Sequence, residues 1–335
     1  MRPRVHWPGF LALLLLSPVM GELLSGSAPP AEFFSPLGFL ILIPWYGIGA
    51  ILCRELSIRW RSGLAGLFLL GMAFGILEEG ILIKTFFDPN SVDLGILQAF
   101  GWWGGANWPW ILELTLYHAV VSITLPVLVV SSLWPDELKR PWLSLPAIIS
   151  LGCVLALMAV LGWFLLSPAQ EWPPFLPGSA QFLGALLTLT SLCLLARSIR
   201  PRPGIRDLYR RWTLFLAGFS WGIWLLGAWA IAEATRSAIL TLLWTALVGS
   251  GLLAYAYLRI RAMEGRALIG AGTVAAGAVS FWSLLAIIQE LDNPNRADDT
   301  SGMALVGILG LLVTGAYLVH LGRQWRWLGG SHQAD

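Results

Sequence analysis

Six side chains in the first third of this chain carry most of the chemistry open to it: Glu22, Glu78, Glu79, Lys84, Glu113 and His118. Carboxyl and imidazole groups brought together hold protons, pass them on, take up cations or ligate a divalent metal. Their surroundings make these six stand out. Glu78 and Glu79 interrupt the stretch GMAFGILEEGILIK, which is uncharged from Ala65 up to the pair, and His118 stands in LELTLYHAVVSITLP. Ionisable groups in such apolar runs are costly to bury, so they mark working sites unless a partner explains them. On a helix Thr115 and Ser122 share the face of His118, while Glu113 and Tyr117 share a second face. Adjacent positions such as Glu78 and Glu79 point about 100° apart on an α-helix. One carboxyl is therefore expected to face a polar cavity and the other a helix contact. Lys84 lies off the facing i+3 and i+4 positions of either glutamate. Their partner is expected to be His118, a backbone donor, a metal, or Arg54 of a neighbouring helix.

These residues need rigid elements at membrane depth, and the composition supplies them. Of 335 residues, 57% are hydrophobic and 12% charged, with a mean hydropathy of +0.72. Soluble domains carry about 25% charged residues, so there is too little polar surface to cover a water-soluble particle. A soluble enzyme, a nucleic-acid binder, a disordered chain and a disulfide scaffold are all excluded. Cys53, Cys153 and Cys193 lie in apolar stretches without metal-ligand spacing, as small buried thiols do.

A spanning helix needs about 20 mostly apolar residues. Ten stretches qualify, near 8–24, 37–53, 63–84, 108–133, 143–167, 179–196, 213–232, 237–258, 267–288 and 302–321. The chain thus reads as an all-α polytopic bundle in one transmembrane domain, 1–335. Spans 1 to 4 (8–133) carry the polar residues, the remaining spans occupy 134–335, and no soluble domain is present. Thr85–Asn107 is too apolar for a free loop and too broken for a span, and reads as a re-entrant or interfacial segment. The segment before Pro29 has the basic, apolar, small-residue order of a signal peptide; it is read as a retained span, with cleavage after Ala28 as the alternative.

Numbering the spans in order sorts the charges. All but Lys84, Arg236 and Arg296 of the 21 basic residues fall on one side, including the six arginines of Arg197–Arg211. The positive-inside bias makes that side cytoplasmic, with both termini inside and the acidic Gln289–Ser301 outside. The expected location is the plasma membrane, with the lipid bilayer as partner. Glu22, Glu78, Glu79, Lys84, Glu113 and His118 then fall in the outer half of the bilayer. Arg54–Glu55 reads as a snorkelling, locally paired couple at a helix end, Glu233–Arg236 as a surface pair, and His320 as lying on the cytoplasmic side, with His6 and His332 in the tails.

Two resemblances follow from these residues. The stretches Ser17–Pro36, Ile76–Asn90 and Leu114–Pro126 resemble an uncharacterised family of multi-pass bacterial membrane proteins, a likeness that implies no chemistry. A Glu-Glu pair in one helix followed by a histidine in the next is also similar to the CAAX-protease and bacteriocin-processing family and to PrsW-type intramembrane proteases. That similarity implies Glu78 and Glu79 as the motif glutamates and His118 as the second-motif histidine, together activating water for peptide hydrolysis. The chain departs from the pattern at Lys84, which comes five residues after Glu79, and at Leu114, where an aromatic is expected. His320 also lies on the opposite side from the one a third histidine would need.

Three classes of function remain open: a hydrolase with Glu78 or Glu79 as general base and His118 as acid or metal ligand, a carrier of protons or cations, and a non-catalytic scaffold. Glu22, Lys84 and Glu113 support the site in each, and a divalent metal is the one cofactor implied. The charge sorting makes the first prediction. Single cysteines in Arg197–Arg211 and in Gln289–Ser301 should react with a membrane-impermeant thiol reagent from opposite sides. Labelling of Gln289–Ser301 from the cytoplasmic side alone would overturn the topology.

Overall fold

The computed structural model describes residues 4–166, 173–201, 211–293 and 299–330. Arg2, Arg202, Arg206, Arg210, Arg296 and His332 lie outside the described residues, and with them parts of the basic and acidic loops singled out above.

Within the described residues, nine helices are long and apolar enough to cross a bilayer. They are α2 (Pro36–Arg59), α3 (Gly63–Leu82), α4 (Trp108–Leu133), α5 (Leu145–Leu165), α6 (Ser179–Ser198), α7 (Arg211–Thr235), α8 (Ala238–Ile260), α9 (Gly265–Leu291) and α10 (Met303–Gly330). The first apolar stretch forms a shorter helix, α1 (Trp7–Leu23). It falls below the roughly 20 residues a full span needs, so among the described residues nine of the ten expected spans are helices of spanning length and the first is shorter.

Local chemistry fixes where several helices start. Ser35, Asn107, Ser144 and Ser237 each accept a hydrogen bond from a first-turn amide, and Pro36, Pro109 and Pro146 lie within the first two helical positions. Both devices satisfy or remove amides that have no partner inside the helix.

The layers follow from burial. α3, α4 and α9 bury most of their length and form the centre, whereas α5, α6, α8 and α10 expose most of theirs, as lipid-facing helices do. α1 packs on α2, α4 lies against α3, and α9 lies between α7 and α10. The segment between α3 and α4 folds back over the bundle: a short 3-10 turn (Val92–Ala99) is followed by two two-residue strands paired antiparallel, Trp102–Trp103 and Ala106–Asn107. It buries Phe86, Phe87, Leu94 and Leu97. Asn107 pins it, donating through its side chain to the carbonyls of Leu97 (2.8 Å) and Phe100 (3.0 Å) and through its amide to that of Phe86 (3.0 Å).

Arg54 and Glu55 differ from their sequence reading. They do pair, at 2.7 Å, but they are withdrawn from solvent instead of reaching out to it. Glu55 accepts from the amides of Trp142 (2.9 Å) and Leu143 (3.1 Å), and Arg54 donates to the carbonyls of Glu137 (2.6 Å) and Arg140 (3.2 Å). The guanidinium lies 3.3 Å from the Trp142 ring centroid. The pair holds the α4–α5 connection, whose backbone groups compensate its loss of hydration. Glu233–Arg236 is the exposed pair its spacing suggested, at 3.9 Å. Removing one member of a buried pair strands the other, at about 3–5 kcal/mol. Glu55→Ala should therefore lower the melting temperature of detergent-solubilised protein far more than Glu233→Ala, as read by thermal-shift fluorescence; equal effects would refute the clamp.

Candidate functional site

Three helices that enclose the polar residues each depart from α-geometry at that level. Val19–Leu23 in α1, Ile76–Leu82 in α3 and His118–Thr124 in α4 are π-helical. Their signature bonds span five residues: Leu24 N to Val19 O at 2.8 Å, Ile83 N to Glu78 O at 2.9 Å, and Leu125 N to Val120 O. Such wide turns are uncommon, and they cluster at functional sites. They contain Glu22, Glu78, Glu79, His118 and Ser122. Side-chain hydroxyls reach backbone oxygens in the widened turns: Tyr117 donates to Gly21 O (2.7 Å) and Ser17 to Ser122 O (2.6 Å).

The wide turn in α3 changes how the two glutamates point. An ordinary α-helix separates adjacent positions by about 100°, which set the expectation that Glu78 and Glu79 would diverge. They do not: Glu79 Oε1 lies 3.0 Å from His118 Nε2, and Glu78 Oε2 lies 3.2 Å from His118 Nδ1. Both carboxyls face one imidazole because the looser winding turns consecutive side chains through a smaller angle. His118 Nδ1 also pairs with Ser122 Oγ at 3.0 Å, as their shared face suggested. Glu78 Oε2 approaches the ring without making a hydrogen bond, and Thr115 Oγ1 on the same face has no hydrogen-bond partner.

The contacts extend into a continuous chain. Tyr46, on α2, donates its hydroxyl to Glu78 and to Glu22. On the far side Thr85 donates to Glu79 Oε2 and accepts from Trp110 Nε1 at 3.0 Å. The order is Glu22, Tyr46, Glu78, His118, Glu79, Thr85, Trp110. A phenol has one hydrogen, so Tyr46 serves one carboxylate at a time and the other junction needs a proton on a carboxyl. Every member is buried except Glu22, which is partly exposed.

Two predicted supporting residues lie elsewhere. Lys84 is fully buried, and its ammonium donates to the carbonyls of Trp163 (2.7 Å) and Leu166 (2.6 Å), closing the C-terminal end of α5. The negative end of that helix compensates its charge, so it belongs to the packing of α3 on α5 and not to the cluster. Glu113 is buried on another face of α4 and accepts from Trp229 Nε1 at 2.6 Å. Arg54 is engaged with Glu55 and takes no part. His320 is exposed beside Gln324, and His6 caps α1. Sequence reasoning missed Tyr46, Thr85 and Trp110. A lone tyrosine after Pro44 in the apolar stretch LILIPWYGIGAIL was the available signal, because a buried phenol needs a partner.

One ligand atom each from Glu78, Glu79 and His118 lie within 4.8 Å of one another, the one such group among the described residues. One imidazole nitrogen and one oxygen from each carboxylate could thus hold a divalent cation, matching the number of protein ligands that catalytic zinc takes.

Close helix contact keeps the chain together. A Cβ on Gly71 would stand 2.8 Å from Ala119 Cα, and one on Gly75 would stand 3.1 Å from His118 Cβ. Only glycine lets α3 approach α4 near enough for the glutamates to reach the imidazole.

A model of an uncharacterised membrane protein family matches residues 11–292. No curated protein and no solved structure matches the chain.

Gly71→Ala forces a methyl group against immovable backbone and should lower stability by about 1–3 kcal/mol. Gly184, with nothing within 4 Å of a Cβ, is the control. Thermal unfolding of both variants checks this, and equal melting temperatures would overturn the close-contact argument.

Proposed function

The chain belongs to an uncharacterised membrane protein family, which lends it no activity, and we propose from its own geometry that it is a proton-coupled transport protein of the plasma membrane. The observation that carries this reading is the run of close contacts from Glu22 to Glu79, hydrogen-bonded except for the 3.2 Å approach of Glu78 to His118, in which carboxyl, phenol and imidazole alternate. Each of these group types accepts and gives up a proton. His118 is central because it is bracketed: a proton reaching Nδ1 from Glu78 allows the Nε2 proton to pass to Glu79, with the double bonds of the ring exchanging places. The cluster then holds a variable number of protons in a site withdrawn from water. A transport protein uses such a site to couple protonation to helix rearrangement. On this reading the wide turns at Val19–Leu23, Ile76–Leu82 and His118–Thr124 are the elements that rearrange. On the charge sorting, both termini lie in the cytoplasm and the cluster lies in the outer half of the bilayer.

A second reading is an intramembrane hydrolase, favoured by the 3.0 Å contact of Glu79 with His118. Glu79 would be the general base, oriented by the imidazole. The scaffold reading has less support, since interhelical hydrogen bonds average below about 1 kcal/mol each, too little to account for this many buried carboxyls.

Infrared difference spectroscopy tests the proton reading. On acidification through the range in which histidine ordinarily changes charge, wild-type protein should gain a protonated-carboxyl band. Glu78→Gln, Glu79→Gln and His118→Ala should each diminish or shift it. A spectrum indifferent to pH would overturn the proposal. So would one equivalent of bound divalent metal that His118→Ala loses while remaining folded, an outcome that favours the hydrolase.

A further inference from the structure

The chain has unequal ends, and we infer that protons enter and leave it only at Glu22, with Tyr46 as the single relay between that port and the buried centre. The inference rests on the proton reading and adds its direction. At the Trp110 end the chain runs into packed protein. Thr85 and Trp110 are buried, and the segment from Phe86 to Asn107 lies over them with Phe86, Leu94 and Leu97 withdrawn from solvent. Trp110 Nε1 donates and accepts nothing, so no proton passes beyond it.

The Glu22 end differs in three respects. Glu22 is partly exposed. It sits at the end of α1, where the chain turns outward through Ser25 and Ser27, the latter exposed. Two exposed acidic groups, Glu32 following α1 and Asp93 in the segment between α3 and α4, also act electrostatically on its carboxyl. Inside, Tyr46 on α2 donates to it, and Glu78 and Glu79 on α3 and Tyr117 on α4 act on it electrostatically. Acidic neighbours of this kind raise the local proton concentration at Glu22.

Tyr46 is the narrow point. Among the described residues, its hydroxyl is the link between Glu22 and Glu78, whose second oxygen is buried without a hydrogen bond. A proton delivered to Glu22 reaches Glu78 when the phenol takes it on one side and releases its own on the other. No net charge resides on the ring, and the hydroxyl must rotate before the next transfer. Tyr46 is thus a relaying residue, distinct from the groups that store the proton. Because its ring also packs on Phe74 at 5.6 Å and stands 6.1 Å from His118, Tyr46→Phe removes the hydroxyl and keeps the packing. On the charge sorting, the port opens on the external face.

The experiment follows hydrogen–deuterium exchange of the buried carboxyl band by infrared spectroscopy after transfer of the intact protein into heavy water. Glu78→Gln identifies the band. Tyr46→Phe, which removes a hydrogen bond to Glu78 and so shifts the band, should retain a pH-responsive carboxyl band yet slow its exchange by about tenfold or more, the factor that loss of one hydrogen bond in the transfer step supplies. Glu22→Gln, which leaves every α2–α3–α4 contact in place, should slow it likewise and decides the matter if Tyr46→Phe fails to fold. Wild-type rates in both variants would overturn the port while leaving the proton reading intact. Slowing by Thr85→Val with none by Glu22→Gln would put the opening at the other end and overturn it too. Absence of any pH-responsive carboxyl band in the wild type would instead overturn the proton reading beneath it.

Discussion

An imidazole presents one hydrogen-bonding nitrogen on each edge, and in this bundle both edges of His118 are occupied by glutamates from a single helix. Much of the surrounding architecture follows from that requirement. Two adjacent carboxyls reach one ring only if their helix is wound loosely, and α3 is π-helical there. The ring must come close to α3, and Gly71 and Gly75 clear the way. A buried carboxylate needs donors for its remaining oxygens, and Tyr46 and Thr85 bring them from α2 and from the turn after α3. The site is as much a solution to hydrogen-bond accounting in a dry interior as a place where chemistry happens.

Most of the fold was legible before any coordinate was known. Apolar runs of sufficient length marked every long helix, because about 20 apolar residues in a row is a property read directly from the sequence. The polar centre was legible for the opposite reason: Glu78, Glu79 and His118 contradict their surroundings. The joint approach of the two glutamates was not. It depends on π-winding, which no residue type announces, and the α-helical angle gave the wrong direction. Tyr46 and Thr85 were overlooked because tyrosine and threonine are unremarkable in membrane helices until their partners are known. Lys84 was placed in the cluster by proximity in sequence, although its acceptors belong to a helix two spans away.

The bundle divides its labour by burial. α3, α4 and α9 occupy the centre, and the chain of polar contacts runs through two of them together with the end of α1 and the middle of α2. α5, α6, α8 and α10 give most of their surface to lipid. The compensated charges are dispersed to match: Arg54–Glu55 holds the α4–α5 connection, Lys84 holds the end of α5, and neither intrudes on the centre. Charge that serves packing is neutralised by backbone, whereas the centre is composed of groups that neutralise one another and can exchange protons. That separation lets the state of the centre change without unfastening the frame.

Lys84 has a further consequence for how the molecule is made. Its two shortest bonds reach carbonyls 79 and 82 positions later in the chain. During synthesis, therefore, α3 and α4 precede the carbonyls that this ammonium bonds, so its charge is compensated by backbone only once the last turn of α5 has packed against it.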